Sequence, residues 1–242
     1  MIGIIGFGFV GQAVYSGITD KNRVKVHDKY KDIDNNRSLS DIMECSKIFV
    51  CVSTPMNKNG SCNTDNTRDV LYSLKDYQGI IIIKSTMPFD EIPTWPNICY
   101  NPEFLNERTA IQDFKNQKYI VLGGNIDVTQ AVQSMYESDF SLSVDTYEHC
   151  TIQQAVDFKY IRNTYQAYKV LFWEYVQDVT GDARKIAMML ENIPMNENTQ
   201  VSMDGYRGFG GSCLPKDVSA IDKNHPHILT KFMLDFNRNL RD

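Results

Sequence analysis

The 242-residue sequence has six cysteines, and no two of them form a C-x-x-C pair. None has a histidine at the spacing of a zinc site, and the chain has only four histidines. A disulfide framework is typical of short secreted chains with regularly spaced cysteines, which this sequence does not resemble. Positive charge is also scarce. Lys and Arg number 25 against 30 Asp and Glu, a formal net charge of −5, and no basic stripe runs along the chain. This excludes a general nucleic-acid binder, which needs a basic footprint. No apolar run approaches the ~20 residues of a membrane span. The apolar start MIGIIGFGFVG carries no basic segment or small-residue cleavage site, so it is not a signal peptide. The expectation is a cytoplasmic protein with reduced thiols, no membrane, no nucleic acid and no metal.

Short Val/Ile-rich runs alternate with amphipathic stretches through the first half. Ile2–Ile5, Val24–His27, Ile48–Val52, Ile80–Lys84, Ile98–Asn101 and Tyr119–Leu122 read as strands. Asp41–Cys45 and Arg68–Leu74 read as helices between them. Continuous apolar runs suit strands buried on both faces, so the expected fold is α/β with a doubly wound parallel sheet. After Tyr147 the pattern changes. Residues 151–191 hold no proline and a single glycine, Gly181, with apolar and aromatic residues at helical spacing. This predicts one long helix of about 28 residues and a shorter one at Ala183–Leu190. The long helix is too aromatic to stand alone in water, which predicts a homodimer built on residues 151–180; packing wholly within its own chain is the alternative. The predicted domains are 1–147, dinucleotide-binding, and 148–242, helical.

Gly6-Phe7-Gly8-Phe9-Val10-Gly11 follows the first strand and opens a helix. In that context the first glycine serves a tight turn, the second lets backbone approach a pyrophosphate, and the third allows close helix–strand packing. Asp28 ends the second strand, where a carboxylate accepts from ribose hydroxyls and repels a 2′-phosphate, favouring NAD over NADP. Thr54-Pro55 and Ser85-Thr86 follow the third and fourth strands, on the ligand-binding edge of such sheets, although both are also ordinary turn formers. Asn101–Glu107 begins at another strand end. Pro102 suits a first helical turn, which would put Glu103 and Glu107 on one face; capping and solvation explain the acids equally. Lys159 and Asn163 lie four apart on the long helix and can hold an oxyanion or a water, or form a solvated face. Cys213 sits in GFGGSCLPKD, residues 208–217, with Lys216 and Asp217 close behind. A nearby cation favours the thiolate, so Cys213 is either a nucleophile or a structural cysteine.

GFGFVG, VSTP, KSTMP, NPEFLNE, KYIRN and GFGGSCLPKD occur in the order and rough spacing of the UDP-glucose/GDP-mannose dehydrogenase family, which this chain resembles. NPEFL is more similar to its UDP-glucose and GDP-mannose branches than to the N-acetylmannosamine branch. The resemblance implies a Rossmann-like domain followed by a helical dimerisation domain. It also implies two-step, NAD-dependent oxidation of a nucleotide sugar, UDP-glucose favoured, at C6 to the uronate. By motif, Cys213 resembles the nucleophile, Lys159 and Asn163 the oxyanion pair, Asp217 the partner of lysine and water, and Glu107 the acid/base of thioester hydrolysis. Thr86 and Glu103 match positions that hold water and cofactor. The implied cofactor set is Gly6, Gly8, Phe9, Val10, Gly11, Asp28, Thr54, Pro55, Ser85, Thr86, Glu103 and Lys216. The implied substrate set is Glu103, Phe104, Leu105, Lys159, Asn163, Phe209 and Gly210. The chain departs from the pattern at Glu197, where many members have an arginine that Arg207 would have to replace, and at Asn106, also usually arginine. It is expected to be a short form without the third, nucleotide-binding domain. An inactive NAD-binding subunit that needs a partner and a one-step hydroxyacid-type dehydrogenase are the alternatives.

Overall fold

The computed structural model describes residues 1–34, 36–191, 207–210, 214–224 and 226–241. The apolar runs become strands β1 (Ile2–Ile5), β2 (Val24–His27), β3 (Lys47–Val50), β4 (Ile80–Ile83), β5 (Ile98–Tyr100), β6 (Tyr119–Gly124) and β7 (Thr146–Cys150). Between them lie helices α1 (Phe9–Gly17), α2 (Leu39–Met43), α3 (Asp65–Ser73), α4 (Ala110–Asn116) and α5 (Ile126–Asp139). The strands form one sheet in the order β2-β1-β3-β4-β5-β6-β7.

Alternation within each strand sends side chains to two cores. Ile4, Phe49 and Ile82 meet Val14 of α1, Phe114 of α4 and Tyr136 of α5 on one face. Ile5, Ile48, Val50, Ile81 and Ile83 meet Ile42 of α2 and Leu71 of α3 on the other. Each of these isoleucines, at 2 % exposure or less, contributes about 2 kcal/mol of burial free energy. The doubly wound architecture follows from having both faces covered.

The expected doubly wound, mostly parallel sheet is present, with one antiparallel pair. The sheet is not wholly parallel: β6 runs antiparallel to β5, through Cys99↔Gly124 and Tyr100↔Gly123, and β7 lies parallel to β6. The chain leaves β5 at the edge where β1, β3 and β4 end, and α4 returns it to that same edge. β6 therefore has to run back. β7 was not anticipated at all; its sequence TYEHC is half polar, as suits an edge strand.

The remaining helices are α6 (Ile152–Thr180), α7 (Ala183–Leu190), α8 (Leu214–Asn224) and α9 (Ile228–Arg241). The chain divides into two compact units, Met1–Arg162 and Asn163–Asp242, so the opening turns of α6 belong to the first. There Ala155 and Val156 are buried against the sheet. α6 ends where Gly181, at φ +72°, lets the chain leave the helix, with its N–H on Gln177 O at 2.8 Å. Asp182 then caps α7 by accepting from Lys185 N at 3.0 Å. In the second unit α6 exposes Tyr165, Tyr168, Val170 and Leu171. Among the described residues, no helix is long and apolar enough to cross a membrane.

Candidate functional site

Strand order places a topological switch between β1 and β3, because the chain after β1 goes to β2 on one side and the chain after β3 goes to β4 on the other. Open α/β sheets bind ligands in the crevice outside the strand ends at such a point. A crevice of about 670 Å³ lies there, entirely within the first unit.

Gly6 bends the chain out of β1 at φ +90°, and a Cβ there would stand 2.8 Å from the Cys51 backbone. A Cβ on Gly11 would stand 2.0 Å from Gly6 O, so this residue lets α1 press onto the turn. Gly8 differs: a Cβ there would meet no atom within 4 Å. Its neighbourhood is open space at the N-terminus of α1, whose cap lacks any side-chain acceptor. Such an opening in front of unpaired backbone N–H groups suits a pyrophosphate.

Asp28, at the end of β2, is tied into the turn. Its Oδ2 accepts from Phe7 N at 2.6 Å and its Oδ1 from Tyr30 and Lys31 N, both at 2.9 Å. Burial works against ionisation, but the three amides and the nearby Lys31 ammonium outweigh it and hold the carboxyl below its usual range. Asp28 is thus a fixed anion at the β2 end of the crevice, where a ribose would present its hydroxyls. Phe9, Val10, Thr54, Pro55, Ser85, Thr86 and Glu103 also line the crevice. The Ser85 hydroxyl donates to Val52 O at 2.7 Å and so ties the loop after β4 to the loop after β3.

Glu103 and Lys159 meet beyond the end of β5. Lys159 Nζ donates to the Glu103 carbonyl and to its Oε1, the latter at 2.8 Å, with side chains 6 % and 13 % exposed. Glu103 Oε2 in turn accepts from Leu105 N at 2.7 Å. Phe104 packs edge-on against Phe158 at 5.4 Å, beneath the Lys159 ammonium at 5.5 Å and the Arg162 guanidinium at 4.7 Å. These contacts dock α6 onto the segment that follows β5.

That segment is not helical, which overturns the expected shared face of Glu103 and Glu107. Asn106 Oδ1 accepts from Arg108 N at 3.0 Å, and Asp113 Oδ2 accepts from Asn106 N and Thr109 Oγ1 at 2.9 and 2.8 Å. These local bonds hold 106–109 as a turn and postpone α4 to Ala110. Glu107 stands exposed in the turn.

Asn163 lies one helical turn after Lys159 and is exposed. Lys216 and Asp217 are exposed residues of α8 in the second unit, paired with each other at 3.2 Å. Phe209, also in that unit, is held by Asn237 of α9: its N–H donates to Oδ1 at 2.7 Å and its carbonyl accepts from Nδ2 at 3.0 Å. Gly208 at φ +76° lets the chain come this close; a Cβ there would stand 2.3 Å from Asn237 Oδ1. Gly210 follows Phe209 directly. Cys213 and Glu197 lie outside the described residues. The five other cysteines are free, and burial pushes the Cys51 thiol up to about 12.

Sequence reasoning missed Lys84, Asn101 and Tyr136. Lys84 lines the crevice at the end of β4 yet is 2 % exposed, with Nζ donating to Asn101 O at 3.3 Å and Oδ1 at 3.0 Å. Asn101 Oδ1 also accepts from Tyr136 OH at 2.7 Å. Lys84 opens the motif KSTMP, but a lysine at a strand end ordinarily reads as solvated.

Residues 25–139 match the UDP-glucose/GDP-mannose dehydrogenase family, NAD binding domain. A UDP-glucose 6-dehydrogenase of Campylobacter jejuni is 26 % identical, the match covering 97 % of this chain and 71 % of that one. One from Rickettsia felis is 26 % identical over 85 % of this chain and 49 % of its own length, so the chain spans about half of that relative. A GDP-mannose dehydrogenase of Pseudomonas aeruginosa, solved as a ternary complex, has the same fold at a TM-score of 0.79 and 20 % identity, covering 99 % of this chain and 68 % of that one. With the glycine turn and the fixed Asp28, this match makes the chain similar to the UDP-glucose/GDP-mannose dehydrogenase family through its NAD binding domain, and NAD is its cofactor.

Proposed function

We propose that the protein oxidises the C6 alcohol of a nucleotide sugar, UDP-glucose in the first instance, to the carboxylate, with two NAD consumed per sugar. Lys159 carries this reading. Its ammonium is buried, yet bonded to Glu103 in the wall of the NAD crevice, and so holds a positive charge beside the cofactor, where an alkoxide or oxyanion would be stabilised. Bound NAD supplies a hydride acceptor. Asp28 and the amides after Gly8 would hold its adenosine ribose and pyrophosphate, and Ser85, Thr86 and Glu103 line the crevice as well.

In the reaction, the alcohol loses a proton and a hydride to become the aldehyde. The Cys213 thiolate adds to that carbonyl, and the resulting thiohemiacetal loses the second hydride to become a thioester. Water then cleaves the thioester, releasing the acid and regenerating the thiol. Asn163 stands beside Lys159 on the same helix for the oxyanion, and Asp217, with Lys216, follows the thiol in sequence. Thr86 would position water, Glu107 would act in hydrolysis, and Phe104, Leu105, Phe209 and Gly210 would contact the sugar. A second copy of the chain would cover the exposed α6 face of Tyr165, Tyr168, Val170 and Leu171.

The test is to incubate the pure chain with UDP-glucose and NAD and count NADH per sugar. Two is expected, and Cys213→Ser should abolish acid formation while leaving NAD binding intact. No turnover with any nucleotide sugar, or acid formation by the serine variant at the wild-type rate, overturns the proposal.

A further inference from the structure

The strand-end region of β4 and β5 holds two buried lysines and one carboxylate. Lys159 and Glu103 compensate each other at 2.8 Å. Lys84 has no such counter-charge: among the described residues its Nζ meets no carboxylate at ion-pair distance, only the two neutral oxygens of Asn101. The groups facing it from the surrounding elements are Cys51 after β3, Cys99 of β5, Glu103, Lys159 of α6, the Tyr136 hydroxyl of α5 and the Phe114 ring of α4, 5.8 Å away. Burial pushes both thiols and the Tyr136 phenol up, so they remain neutral wherever Lys84 is charged. What remains is two ammoniums against one carboxylate.

Asp28 at β2 and the glycine turn after β1 suit the adenosine ribose and the pyrophosphate. The other nucleoside is then left the part of the crevice lined by the ends of β3 and β4, where Lys84 lies. That nucleoside carries one positive charge in NAD⁺ and none in NADH.

We propose that Lys84 sets which oxidation state of the dinucleotide the crevice prefers, its uncompensated ammonium opposing the cationic nicotinamide of NAD⁺ and accepting the neutral ring of NADH. The inference rests on NAD as the cofactor and not on the nucleotide-sugar reading, and binding alone tests it.

Burial pushes the Lys84 ammonium down to about 8. Below that pH the lysine is charged and NAD⁺ binds against it. As pH rises through it, NAD⁺ binding tightens while NADH binding stays level. The ratio Kd(NAD⁺)/Kd(NADH) should therefore fall on the order of tenfold between about pH 6.5 and 9.5, the scale of one unit-charge interaction at an effective dielectric near 20.

The experiment is calorimetric titration of the full chain with NAD⁺ and with NADH across this range. It is done for wild type, Cys213→Ser and Lys84→Met, because a titrating thiolate would give the same sign. The expected result is that the fall in the ratio persists in the serine variant and vanishes in Lys84→Met, which binds NAD⁺ more tightly at low pH. A level ratio in wild type, a fall that disappears with Cys213, or a fall retained by Lys84→Met overturns the proposal. If Lys84→Met does not fold, Lys84→Gln takes its place: the fall should vanish there too, and a fall retained by Lys84→Gln overturns the proposal.

Discussion

Lys159 holds Glu103 twice, by its backbone carbonyl and by its carboxylate, and so fixes the segment after β5 against the first turns of α6. Both side chains are largely removed from water. Taking away one partner strands the other as a buried charge, which costs more than the intact pair contributes. Glu103→Ala should therefore destabilise the chain by about 3 kcal/mol in urea unfolding. Lys159→Met combined with Glu103→Ala should be less destabilised than the sum of the single changes, by about 2 kcal/mol. Additive losses would show that the pair does not act as a unit.

The three glycines of the turn have separable roles. Gly11→Ala drives a Cβ into Gly6 O, 2.0 Å away. Backbone has to move, so a loss of about 2 kcal/mol is expected, seen as a lower Tm with or without cofactor. Gly8→Ala adds a methyl to open space at φ −71°, an ordinary backbone conformation. Its stability should stay within about 0.5 kcal/mol of wild type. NAD affinity should fall about tenfold or more, because the methyl occupies the room a phosphate needs. Equal effects of both variants on Tm and on NAD titration would contradict this division.

The strands and the long helix were legible because a single physical signal writes them. Runs such as IIII in β4 are buried on both faces, and residues 152–180 repeat apolar and aromatic residues at helical spacing with neither proline nor glycine. α7 begins and ends where the sequence placed it. The antiparallel turn into β6 was not legible, since nothing in YIVLGG distinguishes one strand direction from the other. The segment 101–109 misled because Pro102 and two acids resemble a helix start, while the decisive bonds run through Asn106 and Asp113, whose partners are known only once the chain is folded. Lys84 and Asn101 escaped for the same reason: burial of a lysine is a property of the strands stacked around it. Among the candidate residues, those on the crevice edge were readable from strand ends, whereas the non-helical turn that exposes Glu107 was not.

Asp28 makes a prediction about cofactor choice and about pH. Its carboxylate is held by three amides and points into the β2 end of the crevice. Asp28→Ser should weaken NAD about tenfold or more and raise the affinity for NADP relative to NAD, since the charge that repels a 2′-phosphate is gone. Cofactor fluorescence titration measures both. Its ionisation lies below the usual 3.8 in the folded chain. The contribution to stability is therefore present above that value and lost as pH falls through the depressed one, so wild type and variant should converge under acid.

Lys84 makes the opposite prediction about stability. Its folded ionisation, about 8, lies below the usual 10.5. Below pH 8 both folded and unfolded chains carry the charge, and the folded chain bears its full desolvation cost. Between the two values the unfolded chain binds more protons, so stability from this group rises with pH and then levels off. The gain on full titration should be about 3 kcal/mol, since about two and a half units separate the values and each is about 1.4 kcal/mol. Other lysines and tyrosines titrate in the same range, so the informative quantity is the difference between wild type and Lys84→Met. Urea unfolding at successive pH values from about 7 to 10 should show wild type gaining on the variant throughout. The variant itself loses two hydrogen bonds to Asn101, which shifts its curve at every pH alike and leaves that slope untouched. Parallel curves would mean that Lys84 keeps the same proton affinity folded as unfolded, and that the ammonium reaches water by a path its burial in this fold does not provide.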